Sequence, residues 1–151
     1  MSNNTSLLQV AEVNISYSSH QNASNRPRIS SSKDAEVIFR TCWSDRLELL
    51  EECYLMLLNR ANKVLGIMHV SKGGVSGTVV DVKIILAAAL KSTASGIIIA
   101  HNHPSGDLQP SQADRDLTLK IRSACVLLDI AFLDHLILAK EGYYSFVDEG
   151  G

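Results

Sequence analysis

The run Ile97-Ile98-Ile99-Ala100 is the tightest constraint in this chain. Four consecutive apolar residues, three of them β-branched, suit a strand buried on both faces. Such a strand needs structure packed above and below it. The run passes straight into His101-Asn102-His103-Pro104-Ser105-Gly106, where Pro104 and Gly106 end the strand and open a loop. A buried central strand therefore delivers two histidines to a loop, the kind of segment on which sites are commonly built.

The other elements arrange themselves around that strand. Ser31 and Asp34 have the spacing of a helix cap, and Ala35, Ile38, Phe39 and Cys42 follow at helical spacing to about Trp43. Glu51–Leu58 reads as a strand, Asn59–Lys63 as a polar turn and Val64–Val70 as the hairpin partner. Gly73-Gly74 marks a loop, and Asp81 caps a second helix over Val82–Lys91. Ser111 caps a third helix, with Leu117, Ile121, Ala124 and Leu128 on one face. Leu133–Ala139 and Tyr143–Val147 form a last hairpin around Glu141-Gly142. Ahead of all this lies a polar arm, residues 1–31, in which Val13, Ile15 and Tyr17 alternate as a short strand. Ser18–Ser32 reads as a flexible loop, disordered or carried by an arm that pairs with a sheet edge. The order β-α-β-β-α-β-α-β-β is α/β, a mixed sheet with flanking helices, and residues 32–150 form the domain.

Composition narrows the setting. Hydrophobic residues at 46% and charged residues at 20% are a soluble globular balance for one domain of 151 residues. A formal net charge of -2 asks for no nucleic-acid partner, although a local basic patch stays open. Cys42, Cys53 and Cys125 are odd in number and far apart, which predicts buried thiols rather than disulfides or an all-thiolate zinc site. Neither a signal peptide nor an apolar run of membrane-spanning length is visible, so the expected location is cytoplasmic, with no membrane partner.

The chemistry concentrates at the end of the central strand. Residues i and i+2 of an extended segment face the same side, so His101 and His103 offer two imidazoles in one direction, a good pair for Zn²⁺. Asp114 falls in the first turn of the third helix, where side chains tilt back toward the loop that carries the histidines. Two imidazoles and a carboxylate leave a fourth position for water, the pattern of a catalytic zinc site with one ion per chain. A base must then move the water's proton, and Glu51 and Glu52 are the candidates. Only one can face the metal, and because both faces of Cys53–Leu58 are apolar, alternation does not choose. Ser111 could donate to a developing oxyanion.

Each motif also has a plainer explanation. Serine at the cap with an acid three residues on is a common helix start. The two glutamates could be solvated charges, and His135 could be a satisfied core histidine, a fourth ligand or, with Asp134, a support for a ligand from behind. His20 and His69 carry no motif. The letters His-Asn-His match a nuclease name by accident, and the H-x-E with P-C-x-x-C of zinc deaminases is absent.

Taken together, His101-Asn102-His103-Pro104 and Ser111-Gln112-Ala113-Asp114 resemble the His-x-His-Pro…Ser-x-x-Asp pattern of JAMM/MPN metalloproteases. With Ser105-Gly106-Asp107, Pro110, Leu133-Asp134-His135-Leu136-Ile137 and Gly142-Tyr143-Tyr144-Ser145-Phe146, the stretch from about Ser32 to Gly150 looks like the RadC branch. The resemblance implies a JAMM/MPN (cytidine-deaminase-like) three-layer architecture. It also implies zinc on His101, His103 and Asp114, and a catalytic glutamate eight residues before the residue closing the first core strand. Counting back from Asn59 selects Glu51. The expected activity is hydrolysis of peptide or isopeptide amides, with an unidentified peptide or protein as substrate. The alternative is a non-catalytic binding or scaffold module associated with DNA repair or DNA transactions. Two features depart from the pattern: nothing here resembles the helix-hairpin-helix module of longer RadC proteins, and Val82-Lys83 stands where many relatives have Pro-Arg.

Overall fold

Every helix starts where the sequence places its cap. In the computed structural model, which describes residues 11–18, 23–73 and 79–151, helix α1 spans Ser32–Cys42, α2 Val82–Lys91 and α3 Gln112–Leu127. The Ser31, Asp81 and Ser111 side chains accept from Asp34, Lys83 and Asp114 backbone N–H groups. Each thereby satisfies a donor that the first helical turn leaves unpaired.

The strands are β1 Glu52–Leu58, β2 Val64–Lys72, β3 Gly96–Asn102, β4 Ala131–Ala139 and β5 Gly142–Ser145, in one sheet of order β2-β1-β3-β4-β5. Pairings are antiparallel except β3 with β4, which are parallel and joined through α3. A parallel pair needs such a crossover. β1 and β3 are buried along their whole length, and alternation sorts their side chains onto two cores. Tyr54, Met56, Leu58, Ile98 and Ala100 join Ala35 and Phe39 of α1 on one face. Leu55, Leu57, Ile97 and Ile99 join Ile85 and Ala89 of α2 and Ile121 and Cys125 of α3 on the other. The result is the expected three-layer α/β domain, with α1 on one side of a mixed sheet and α2 and α3 on the opposite side.

Four sequence expectations need correction or narrowing. Residues 11–18 form no strand, and Val13 and Ile15 are exposed. Alternation over three residues buries too little to hold a strand alone. The Tyr17 hydroxyl reaches the edge strand, donating to the Leu65 carbonyl at 3.3 Å. Within the expected loop Ser18–Ser32, Ala23–Asn25 form a 3₁₀ turn, and Ile29 is buried and donates to Asn62 O at 2.8 Å. Cys42 is exposed at the end of α1, whereas Cys53 and Cys125 are buried as expected. Leu128 is the C-cap of α3 and is exposed, because the buried stripe runs through Thr118, Ile121 and Cys125. Gly74 lies outside the described residues, and the remaining elements match their predicted spans to within two residues.

Phe39 is the largest α1 side chain fully buried against the sheet. Phe39→Ala should cost about 3–5 kcal/mol of unfolding free energy in urea denaturation. Cys42→Ser, at the exposed end of the same helix, should stay within about 0.5 kcal/mol of the parent. Equal effects would contradict the layer assignment.

Candidate metal centre

β3 carries both cores to their edge and then places polar groups on each face. His101 continues the alternation of Ile97 and Ile99 and so faces α2 and α3, while Asn102 continues that of Ile98 and Ala100. His103 follows just past the strand, its backbone N–H donating to Leu138 O at 2.9 Å. Gly106, at φ +90, turns the loop back so that its N–H donates to His103 O at 3.0 Å. Only glycine adopts such a φ cheaply.

Asp114 is brought in by a complete capping box. Ser111 Oγ accepts from Asp114 N at 3.0 Å, and Asp114 Oδ2 accepts from Ser111 N at 2.8 Å. The box pins the carboxylate against the histidines, with Oδ1 3.1 Å from His101 Nε2 and Oδ2 3.2 Å from His103 Nε2. The two Nε2 atoms are 3.0 Å apart.

Partners at the far ring nitrogens assign the tautomers. Thr118 Oγ1 donates to Asp114 O at 2.9 Å, so its lone pair accepts from His135 Nδ1–H at 2.6 Å. His135 Nε2 must then accept from His101 Nδ1–H, at 2.7 Å. His103 Nδ1–H donates to Asp107 O at 2.5 Å. Each Nε2 is left with a lone pair aimed at the other and at the carboxylate. Four acceptor atoms thus converge within 3.0–3.2 Å of their neighbours, an arrangement that calls for a cation among them. Ligands held about 2.0–2.1 Å from a tetrahedral zinc would lie roughly 3.3–3.4 Å from each other, so the donor set fits.

Charge states agree with this reading. Complete burial, reinforced by His101, holds His135 neutral, its pKa well below the ordinary histidine value. Burial would raise the Asp114 pKa, but the two imidazoles reverse the sign and keep it far below the carboxylate range. Asp114 chiefly raises the pKa of His103, partly against burial.

The glutamates have separate fates. β1 pairs with β3 antiparallel, Cys53 opposite His101, and continuing that register sets Glu51 opposite His103. Glu51 Oε1 lies 3.9 Å from His103 Nε2, and Glu51, His101 and His103 offer donor atoms within 4.8 Å of one another. Glu52 turns to the other face and is fully buried. There Ser44 Oγ donates to it, His69 Nε2 lies at 2.8 Å and Arg46 Nη2 at 3.6 Å. Burial would raise the Glu52 pKa, but these partners hold it below the usual glutamate value. Ser111 is exposed and its oxygen is engaged in the cap, leaving its hydroxyl proton uncommitted by that bond. Burial, with Glu51 adding to it, pushes the Cys53 thiol up to about 12, so it is a protonated bystander.

Three contributors escaped sequence reasoning. Thr118 sits one helical turn after Asp114 on the same face, a signal that was available. Asn102 donates to Leu47 O at 2.6 Å and Leu50 O at 2.8 Å and accepts from Glu52 N at 2.7 Å, tying down the segment that carries Glu51. His69 gains its role only through the β1–β2 pairing. His135 supports His101 from behind, whereas Asp134 faces away and binds Ser145, Val147 and the His135 backbone N–H.

Known proteins place these residues in context. A family model described as a RadC-like JAB domain matches residues 29–151. A UPF0758 protein of Flavobacterium johnsoniae is 47% identical over 123 residues, covering 82% of this chain and 53% of its own length. A UPF0758 protein of Porphyromonas gingivalis is 42% identical over 126 residues, covering 82% of this chain and 56% of its own. The chain thus spans about half the length of these relatives, whose name specifies no activity.

The His101–His135–Thr118 chain makes a specific demand. Thr118→Val keeps the shape but removes the acceptor for His135 Nδ1–H. Zinc affinity, measured by competition with a chelator, should fall about 10–100-fold, and Thr118→Ser should restore most of it. Unchanged affinity in Thr118→Val would mean that the chain does not orient His101.

Proposed function

The chain belongs to the RadC-like JAB domain family, and on that premise we propose that it is a zinc-dependent metallohydrolase cleaving peptide or isopeptide amide bonds. The observation that carries this reading is the convergence of two imidazole lone pairs and one carboxylate with Glu51 alongside. His101, His103 and Asp114 would hold the ion. When bound, zinc would lower the pKa of a coordinated water to roughly 7 and polarise the amide carbonyl.

The protein's own groups would do the rest. Glu51 Oε1, 3.9 Å from His103 Nε2, would take a proton from the attacking water. As the C–O bond forms and the C–N bond breaks, the same carboxyl returns that proton to the leaving amine nitrogen. Asn102 steadies Glu51 by anchoring the Leu47 and Leu50 carbonyls before it. The Ser111 hydroxyl can donate to the carbonyl oxygen as negative charge grows there. The substrate class is a peptide or protein amide. A net charge of -2 offers no general attraction to a phosphate backbone, and no helix among the described residues is long and apolar enough to cross a membrane.

Protein equilibrated with zinc and then desalted should carry about one ion per chain by mass spectrometry, and the His101→Ala/His103→Ala variant should carry essentially none. Absence of metal in the parent would sink the proposal. Glu51→Gln should retain the ion yet lower turnover of a pool of quenched fluorescent peptides and isopeptides about 10²–10⁴-fold. Loss of the ion in Glu51→Gln would make Glu51 a ligand. Retained ion with unchanged turnover would favour a non-hydrolytic binding module.

A further inference from the structure

A cleft of about 280 Å³ opens beside the metal donors, and its two walls differ in chemistry. Glu51, His101 and Asp114 make one wall, and Val79, Val80, Ala113 and Leu117 make the other. Val80 and Leu117 are the half-buried margin of the core between the sheet and the α2–α3 layer, so this wall is a continuation of packed structure. Val79 extends it outward and is 89% exposed. A single exposed valine is ordinary. This one continues a three-residue apolar surface that ends at the reacting groups. Ala113, immediately before Asp114, adds the smallest side chain on that wall and leaves the cleft open. Among the described residues, no lysine or arginine lines it.

We infer that this wall is a specificity pocket for a branched aliphatic side chain, of valine to leucine size, next to the scissile amide. The inference rests on the hydrolase reading above and adds the class of substrate. A group that leaves water for such a wall gains about fourfold in affinity per buried methylene, less where the cleft stays open. A charged side chain at the same place would lose its hydration against Val79, Val80 and Leu117 without finding a partner.

Hydroxamates chelate an accessible zinc ion, so they probe the pocket without turnover. Zinc-loaded protein should bind 4-methylpentanohydroxamate at least about tenfold more tightly than acetohydroxamate by calorimetry. It should show no comparable gain for 6-aminohexanohydroxamate. Val79→Ser, at an exposed position, and Leu117→Ala should each reduce the aliphatic preference at least about threefold while zinc stays at about one per chain. Equal binding of all three hydroxamates, or an unchanged preference in both variants, would overturn the pocket and leave the hydrolase reading standing. A preference for the amino compound would overturn the aliphatic assignment in the same way. Failure of every hydroxamate to bind zinc-loaded protein would instead remove the open metal site, and the pocket with it.

Discussion

The register of β1 on β3 decides which glutamate meets the histidines. Side chains alternate with a period of two, so a slip of one residue would exchange Glu51 for Glu52 and move every apolar partner to the other face. Hydrophobicity resists that slip only weakly here, because both faces of both strands are buried. Polar anchors supply the resistance. Asn102 binds two carbonyls of the segment before β1 and the N–H of Glu52, and it does so fully buried. Glu52 in turn is held by Ser44, His69 and Arg46. A shifted strand would strand these groups without partners in the core, at about 1–3 kcal/mol for each unsatisfied group. Two adjacent acids thus divide the work: Glu52 fixes the strand, and Glu51 faces the histidines.

Much of this was legible in the sequence because it depends on short-range patterns. The apolar run Ile97–Ala100, the caps Ser31, Asp81 and Ser111, and the spacing of His101, His103 and Asp114 all reflect local geometry. The choice between Glu51 and Glu52 was not legible from alternation, since both faces of β1 are apolar and only the pairing with β3 distinguishes them. The short strand at Val13–Tyr17 failed for the opposite reason. Its alternation is real, but among the described residues no layer covers it, and a pattern without a burial partner holds nothing in place. Cys42 and Leu128 were misjudged at helix ends, where the buried stripe has already rotated away from the last residue.

Thr118, Asn102 and His69 were the least legible contributors because each acts through a contact between distant elements. His135 comes from β4 and Thr118 from α3, yet together they set the tautomer of His101 on β3. Direction matters in that chain. Thr118 spends its only proton on the Asp114 carbonyl, so it can only accept from His135, and His135 can then only accept from His101. A buried histidine that could take either tautomer would turn an N–H toward the converging acceptors part of the time. The fixed sequence of donors removes that freedom, and full burial keeps His135 from adding a second proton.

The same logic explains why the third donor is an aspartate inside a capping box. A carboxylate at the first turn of a helix stabilises the helix start whether or not an ion is present. Here the cap bond to Ser111 N uses Oδ2 and prevents the group from swinging toward solvent. Converging acceptors repel one another without a cation, and Asp114 raises the pKa of His103 accordingly. The helix cap offsets part of that cost, so the donors are assembled without an ion. A site built from the end of a buried strand and the cap of a helix is therefore organised by the fold itself.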